Sequence, residues 1–164
     1  MLARGSHTDL RRIPYVLVAE RDPKLRAEMV AALHEHCEVI EAIDGPDALD
    51  KTADLLLAGE RMPDAFVLDA GMPHWSGLQM MCSIRGCDGI VPIVLTAACD
   101  DRAMQSLSIR CGAVLLEKPF DVMALCGAIL EVIREPPPLP TSRTYVVRTV
   151  GVERRAPGDL GPTS

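Results

Sequence analysis

The sequence predicts an α/β fold: a parallel, doubly wound sheet with helices on both faces. Three observations carry this. Five short apolar runs alternate with five amphipathic stretches along the body of the chain, the pattern of repeated βα units. Two of those runs, 65–68 and 90–97, are almost continuously apolar, as strands covered on both faces must be. Hydrophobic residues make up 48% of the chain but aromatics only 3%, so the core is built from Leu, Val, Ile, Ala and Met.

The elements follow in order. Tyr15 to Ala19 reads as the first strand and runs into Glu20-Arg21-Asp22-Pro23. Asp22 is placed to cap a helix, with Pro23 at the first helical position, where its missing N–H costs nothing. Leu25, Met29 and Leu33 then recur at four-residue spacing, one apolar face. Cys37 to Ala42 alternates like a half-exposed second strand. Gly45-Pro46 opens a second helix with Leu49, Ala53 and Leu56 on its inner side, and Gly59 ends it. Ala65 to Leu68 forms the third strand, ending on Asp69, before Gly71 and Met72-Pro73 break it.

Ser76 caps a third helix, with Leu78, Met81 and Cys82 inward and Gly86 closing it. The fourth strand spans Ile90 to Ala97, with Pro92 tolerated near its start. A fourth helix runs from about Asp101 to Cys111 and stops at Gly112. Ala113 to Glu117 is the fifth strand. Lys118-Pro119-Phe120 follows, and Asp121 caps a fifth helix with Val122, Leu125, Ile129 and Val132 inward. Pro136-Pro137-Pro138 forbids its continuation.

The chain therefore divides into a flexible leader (1–13), a folded body (14–135) and a Pro-rich linker with a mostly disordered tail (136–164). Within the tail, 145–150 has the composition of one strand. At 29 residues it is too short for an attached output domain. Of the net charge of −6, each tail contributes +2, so the body carries −10. An acidic body argues against nucleic-acid binding. No apolar run approaches the ~18 residues of a membrane span, and residues 1–12 lack a signal core. The six cysteines form no CxxC pair. They read as small buried hydrophobes in a reduced, cytoplasmic setting. His34 and His36 read as solvated.

Polar groups that folding does not require close four of the strands. Glu20 follows the first, Asp69 ends the third, Thr96 ends the fourth and Lys118 follows the fifth. In a doubly wound sheet all four face the crevice at the carboxyl ends of the strands. One such Asp alone reads equally as a turn cap; the set of four does not.

With these residues in order, the sequence resembles the receiver domain of two-component response regulators. The carriers are 16–23 (VLVAERDP), 67–73 (VLDAGMP) with Gly77-Leu78, 92–97 (PIVLTA), and Gly112-Ala113 with Lys118-Pro119-Phe120. The resemblance covers roughly 14–135 and implies a flavodoxin-like sheet of order 2-1-3-4-5. It implies a signalling module and not an enzyme. Asp69 would be the phosphoacceptor, Thr96 would hydrogen-bond a phosphoryl oxygen, and Lys118 would pair with the carboxylate or phosphoryl group across a cis Lys118-Pro119 bond. Mg²⁺ would sit on Asp69, the Gly71 carbonyl and an acid after the first strand. The implied partners are a sensor histidine kinase or phosphotransfer protein, and a downstream protein docking on the fourth helix, fifth strand and fifth helix.

Two positions depart from the pattern. Receivers usually place two acids after the first strand; here they read Glu20 and then Arg21. At roughly 4 Å and an effective dielectric of about 20, a unit charge is worth about 4 kcal/mol before solvent discounts it, so Arg21 weakens Mg²⁺ binding. Three arrangements stay open: Arg21 swings out and Glu20 holds the metal through water, Asp22 takes over as a weak ligand, or Arg21 itself stands in for the metal. The last would make a phosphorylation-independent pseudo-receiver. The aromatic that the family often carries before its lysine is here Leu115. Trp75, the sole tryptophan, reads either as a surface-packed indole or as a contact residue at the rim. A haloacid-dehalogenase-type phosphatase is the competing class, but it needs a second Asp two residues after the nucleophile, and Gly71 stands there.

Overall fold

The computed structural model describes residues 12–87, 89–98 and 102–136. The leader, nearly all of the tail and the expected strand at 145–150 lie outside the described residues. Ten elements alternate: β1 (Tyr15–Ala19), α1 (Pro23–Leu33), β2 (Glu38–Ala42), α2 (Gly45–Ala58), β3 (Ala65–Asp69), α3 (Gly77–Cys87), β4 (Ile93–Ala98), α4 (Arg102–Arg110), β5 (Val114–Lys118) and α5 (Val122–Arg134). The strands form one parallel sheet in the order β2-β1-β3-β4-β5. The reversal of strand order between β1 and β3 opens the crevice where such sheets place their sites.

Local chemistry sets the helix starts. The Asp22 carboxylate accepts from Lys24 N at 2.8 Å and Leu25 N at 3.1 Å, with Pro23 behind it. Asp44 caps α2 through Asp47 N at 2.8 Å, and Asp121 caps α5 through Met123 N at 2.8 Å. Ser76 and Gln79 form a reciprocal capping box before α3. Gly59 ends α2 at φ 65°, the left-handed conformation that glycine adopts without a Cβ penalty.

Because side chains alternate along a strand, the sheet splits the core in two. One face packs Leu17, Phe66, Leu68, Ile93 and Leu95 against Ala48, Met80, Met81 and Ile84 of α2 and α3. The other packs Val16, Val18, Val67, Val94 and Leu116 against Met29, Leu33, Leu125 and Ile129 of α1 and α5. Each fully buried Leu or Ile contributes about 1.5–3 kcal/mol.

Several sequence expectations are corrected. The buried face of α2 is Ala48, Thr52 and Leu55, one residue out of phase with the expected stripe of Leu49, Ala53 and Leu56; Leu49 still packs half-buried against the core, but Leu56 is exposed. The buried Thr52 hydroxyl is satisfied by Ala48 O at 2.7 Å. β4 begins at Ile93 and Ile90 is exposed, because Pro92 has no N–H for the ladder and contributes only its carbonyl, to Phe66 N at 3.0 Å. α3 runs past Gly86 to Cys87, and Cys82 lies on its exposed side. Cys37 and Cys126 are buried, and Cys111 is half-buried. Burial pushes the Cys37 thiol up to about 11, with Cys126 and Asp64 adding to the shift. β2 starts at Glu38, and β5 extends through Lys118. No helix among the described residues is long and apolar enough to cross a membrane.

Candidate functional site

The register builds the site. Val16 and Val18, Ala65 and Val67, Val94, and Leu116 all lie in the core beneath α1 and α5. Two residues further along each strand direction stand Glu20, Asp69, Thr96 and Lys118, so the period of two puts all four on that same face. Asp69 and Thr96 are directly paired across β3 and β4, and Ala70 N donates to Thr96 O at 2.7 Å.

The side chains converge. Lys118 Nζ donates to Glu20 Oε2 at 2.7 Å and to Asp69 Oδ1 at 3.1 Å. Glu20, Asp69 and Thr96 are all buried. Burial alone would pull the Lys118 ammonium down. The hydrogen bonds to Glu20 and Asp69, with the charges of both carboxylates, more than offset this and hold it above the ordinary lysine value. The Lys118-Pro119 peptide bond is cis.

Each carboxylate oxygen has a definite state. Glu20 Oε1 accepts from Asp22 N at 3.0 Å and Oε2 from Lys118. Asp69 Oδ1 accepts from both Lys118 and Gly71 N, each at 3.1 Å. Asp69 Oδ2 accepts nothing among the described residues. Thr96 Oγ1 is fully buried and has no hydrogen-bond partner among the described residues. A buried hydroxyl left so costs about 1–3 kcal/mol, and it belongs to the residue in register with Asp69.

Asp22 contributes its backbone to Glu20, while its carboxylate is committed to the α1 cap; the Leu25 and Lys24 amides hold it below the usual carboxylate range. Arg21 is exposed and makes no ion pair among the described residues. Arg26, from α1, fixes the end of β1 instead, donating to Glu20 O at 2.7 Å.

Two glycines matter in ways their sequence positions do not announce. A Cβ on Gly77 would lie 2.5 Å from Asp69 O, so only glycine lets the start of α3 press on the strand end. A Cβ on Gly45 would lie 2.3 Å from Trp75 O, which locks α2 against the loop after β3. At Gly71 a Cβ would sit 3.6 Å from both Asp69 oxygens, in ordinary van der Waals contact with the carboxylate. Leu115, where an aromatic would stand, is buried opposite Leu95 in the α2–α3 core.

The Mg²⁺ that the resemblance implies meets a poor donor set. Mg²⁺ demands a near-octahedral set of oxygens. Here three of the four carboxylate oxygens already hold donors, Lys118 lies between the two acids, and the position of the third acid is Arg21. The described residues contain no group of three His, Cys, Asp or Glu that could hold a metal ion. The residues present do not fit this cation.

Comparison with known proteins gives the family. Residues 16–130 match the sequence model of the response regulator receiver domain. The chain is similar to the transcriptional regulatory protein PrrA of Mycobacterium tuberculosis, 31% identical over 88% of this chain and 60% of that protein. It is similar to the response regulator MprA of the same species, 30% identical over 81% of this chain and 56% of that one. The chain thus spans about 60% of the length of these relatives. Among solved structures, the receiver domain of Francisella response regulator 1452 superposes with TM-score 0.62 at 24% identity, covering 74% of this chain and 97% of that one. The chemotaxis response regulator CheY4 of Vibrio cholerae gives TM-score 0.63 at 23% identity, covering 74% and 99%. At these identities the structural likeness speaks to the fold alone, and the fold, the sequence match and the curated relatives agree. The chain belongs to the response regulator receiver domain family of two-component signalling.

Proposed function

We propose that this domain receives a phosphoryl group on Asp69 and transmits that state by docking its own surface on another protein. The observation that carries the reading is that Asp69 keeps Oδ2 without a donor among the described residues while Lys118 holds its Oδ1, in register with the unpartnered Thr96 hydroxyl. A nucleophilic oxygen, a fixed cation and an idle donor are what transfer to a carboxylate needs. Receiver domains are generally signalling modules and not enzymes. They interact with histidine kinases or phosphotransfer proteins, and one of these in the cytoplasm is the proposed donor here. The proposed output face is α4-β5-α5, where Met123 is exposed. Receiver domains generally bind Mg²⁺ at this site; the donor set described above does not favour it here.

A specific observation supports a second reading, a binding module that works without phosphorylation. Arg21 replaces an acid, and Leu115 replaces the aromatic that reports phosphorylation in many receivers. Incubation with acetyl phosphate followed by intact-mass measurement separates the two. The first reading expects one added phosphoryl group on the wild type and none on Asp69→Asn. An unmodified wild type, with or without Mg²⁺, would leave the second.

A further inference from the structure

We infer that this site takes its phosphoryl group without a divalent cation, with Arg21 supplying the positive charge. The inference rests on the reading of Asp69 as phosphoacceptor and names how that charge is met.

Charge balance is the first argument. Glu20 and Asp69 carry two negative charges and Lys118 one positive. With an acid at position 21 the group would total −2, which a divalent cation neutralises. With Arg21 the four groups total zero, and adding Asp22, which lies within electrostatic reach of Lys118, makes −1 in place of −3, so the pull on a divalent ion is much reduced. Donor count is the second. Each Glu20 oxygen already holds one donor and Asp69 Oδ1 holds two, which leaves Asp69 Oδ2 as the one oxygen of the two carboxylates without a donor among the described residues, short of the full oxygen set that Mg²⁺ requires.

What the site does offer is donors. Thr96 Oγ1 is buried, unpartnered and in register with Asp69. Lys118 already touches the carboxylate. Arg21 directly follows buried Glu20, is exposed and has no ion-pair partner among the described residues. Its planar guanidinium can hold two oxyanion oxygens at once. Gly71 adds no side chain against the carboxylate. These groups suit a tetrahedral oxyanion better than a metal.

The step balances without a metal or redox partner. Asp69 Oδ2 attacks the phosphorus of acetyl phosphate. The new O–P bond forms as the bond from phosphorus to the acetyl oxygen breaks, and acetate leaves with the electron pair. No proton moves. The charge on the transferred group is met by Lys118, Arg21 and the Thr96 hydroxyl.

The test is acetyl phosphate labelling of the full chain, in EDTA and in Mg²⁺, read by intact mass. Calorimetric titration of the unlabelled protein with Mg²⁺ runs in parallel. The expected result is labelling in EDTA within about twofold of that in Mg²⁺. Arg21→Ala should slow labelling in EDTA by about tenfold, less than the roughly 10²–10³-fold cost of removing a buried, preorganised donor, because Arg21 is exposed. Arg21→Asp should make labelling depend on Mg²⁺ and gain a heat of Mg²⁺ binding that the wild type lacks. Labelling of the wild type only in Mg²⁺, or saturable Mg²⁺ binding that Arg21→Asp does not tighten, overturns the inference and leaves the phosphoacceptor reading intact. No labelling in either condition overturns both.

Discussion

The two ends of the sheet carry similar charged clusters with opposite degrees of completion. At the amino ends of β1 and β3, Asp64 is saturated. Its Oδ1 accepts from Arg12 at 3.1 Å, and its Oδ2 accepts from Tyr15 N at 2.8 Å and from Arg61. Arg61 also lies over the Tyr15 ring, 5.5 Å from its centroid. At the carboxyl ends, two buried acids share one ammonium, Asp69 keeps one oxygen free and Thr96 is idle. Each end also leaves one buried polar atom unpartnered, Arg61 Nε and Thr96 Oγ1. The Arg61 guanidinium, however, already bonds Asp64 and Ile13 O, whereas the Thr96 hydroxyl has no other bond. The amino end holds strands together. The carboxyl end keeps capacity in reserve, and such incompleteness marks a site.

The largest effect on this contrast should come from Lys118→Met, which leaves Glu20 and Asp69 buried without a counter-ion. Losing one partner of a buried pair costs about 3–5 kcal/mol; with 26% of the lysine side chain accessible, the lower bound of about 3 applies. Urea unfolding near neutral pH measures it. The folded pKa of Lys118 is raised, so its contribution is complete below the unfolded lysine value and fades as pH rises through the folded one. The gap between wild type and Lys118→Met should therefore close in strong alkali. A gap that persists there would assign the loss to packing of the lysine stem.

Asp64→Asn should cost less, about 1–2 kcal/mol, because Asn keeps one acceptor oxygen and the group is only partly buried. Labelling at Asp69 should be unchanged, since the two clusters lie at opposite ends of β3. A labelling defect in Asp64→Asn would show that the ends are coupled through the strands and not separate in role.

How much of this the sequence discloses depends on whether the cause is local. Glu20, Asp69, Thr96 and Lys118 are legible because each interrupts an apolar run where folding gains nothing from a polar residue. Asp22, Ser76 and Asp121 are legible as caps because their partners lie within three residues. The phase of α2 is not. Leu55, Leu56 and Leu57 in succession fit two faces equally, and the face that is buried is decided by packing on the sheet and on the chain around Trp75, which Gly45 meets from thirty residues away. Cys82 misleads because a thiol is commonly buried, while α3 already fills its inner stripe with Met80, Met81 and Ile84. The oxygen-by-oxygen state of the site and the pressure of Gly77 on Asp69 O belong to tertiary contact alone.

The smallest predicted effect has the opposite sign. Thr96→Val replaces the orphaned hydroxyl with a methyl of similar shape, between Asp69 on one neighbouring strand and Leu116 on the other. Removing an unsatisfied buried donor should stabilise the free protein by about 1 kcal/mol, or about 3 °C in Tm for a domain of this size. Acetyl phosphate labelling should slow in the same variant, because the hydroxyl's only use is then gone. Stability and reactivity thus move in opposite directions at one atom, as expected where a fold sacrifices packing for a site. If Thr96→Val instead loses stability, the hydroxyl is already satisfied in solution, and the carboxyl end of the sheet is as complete as the amino end.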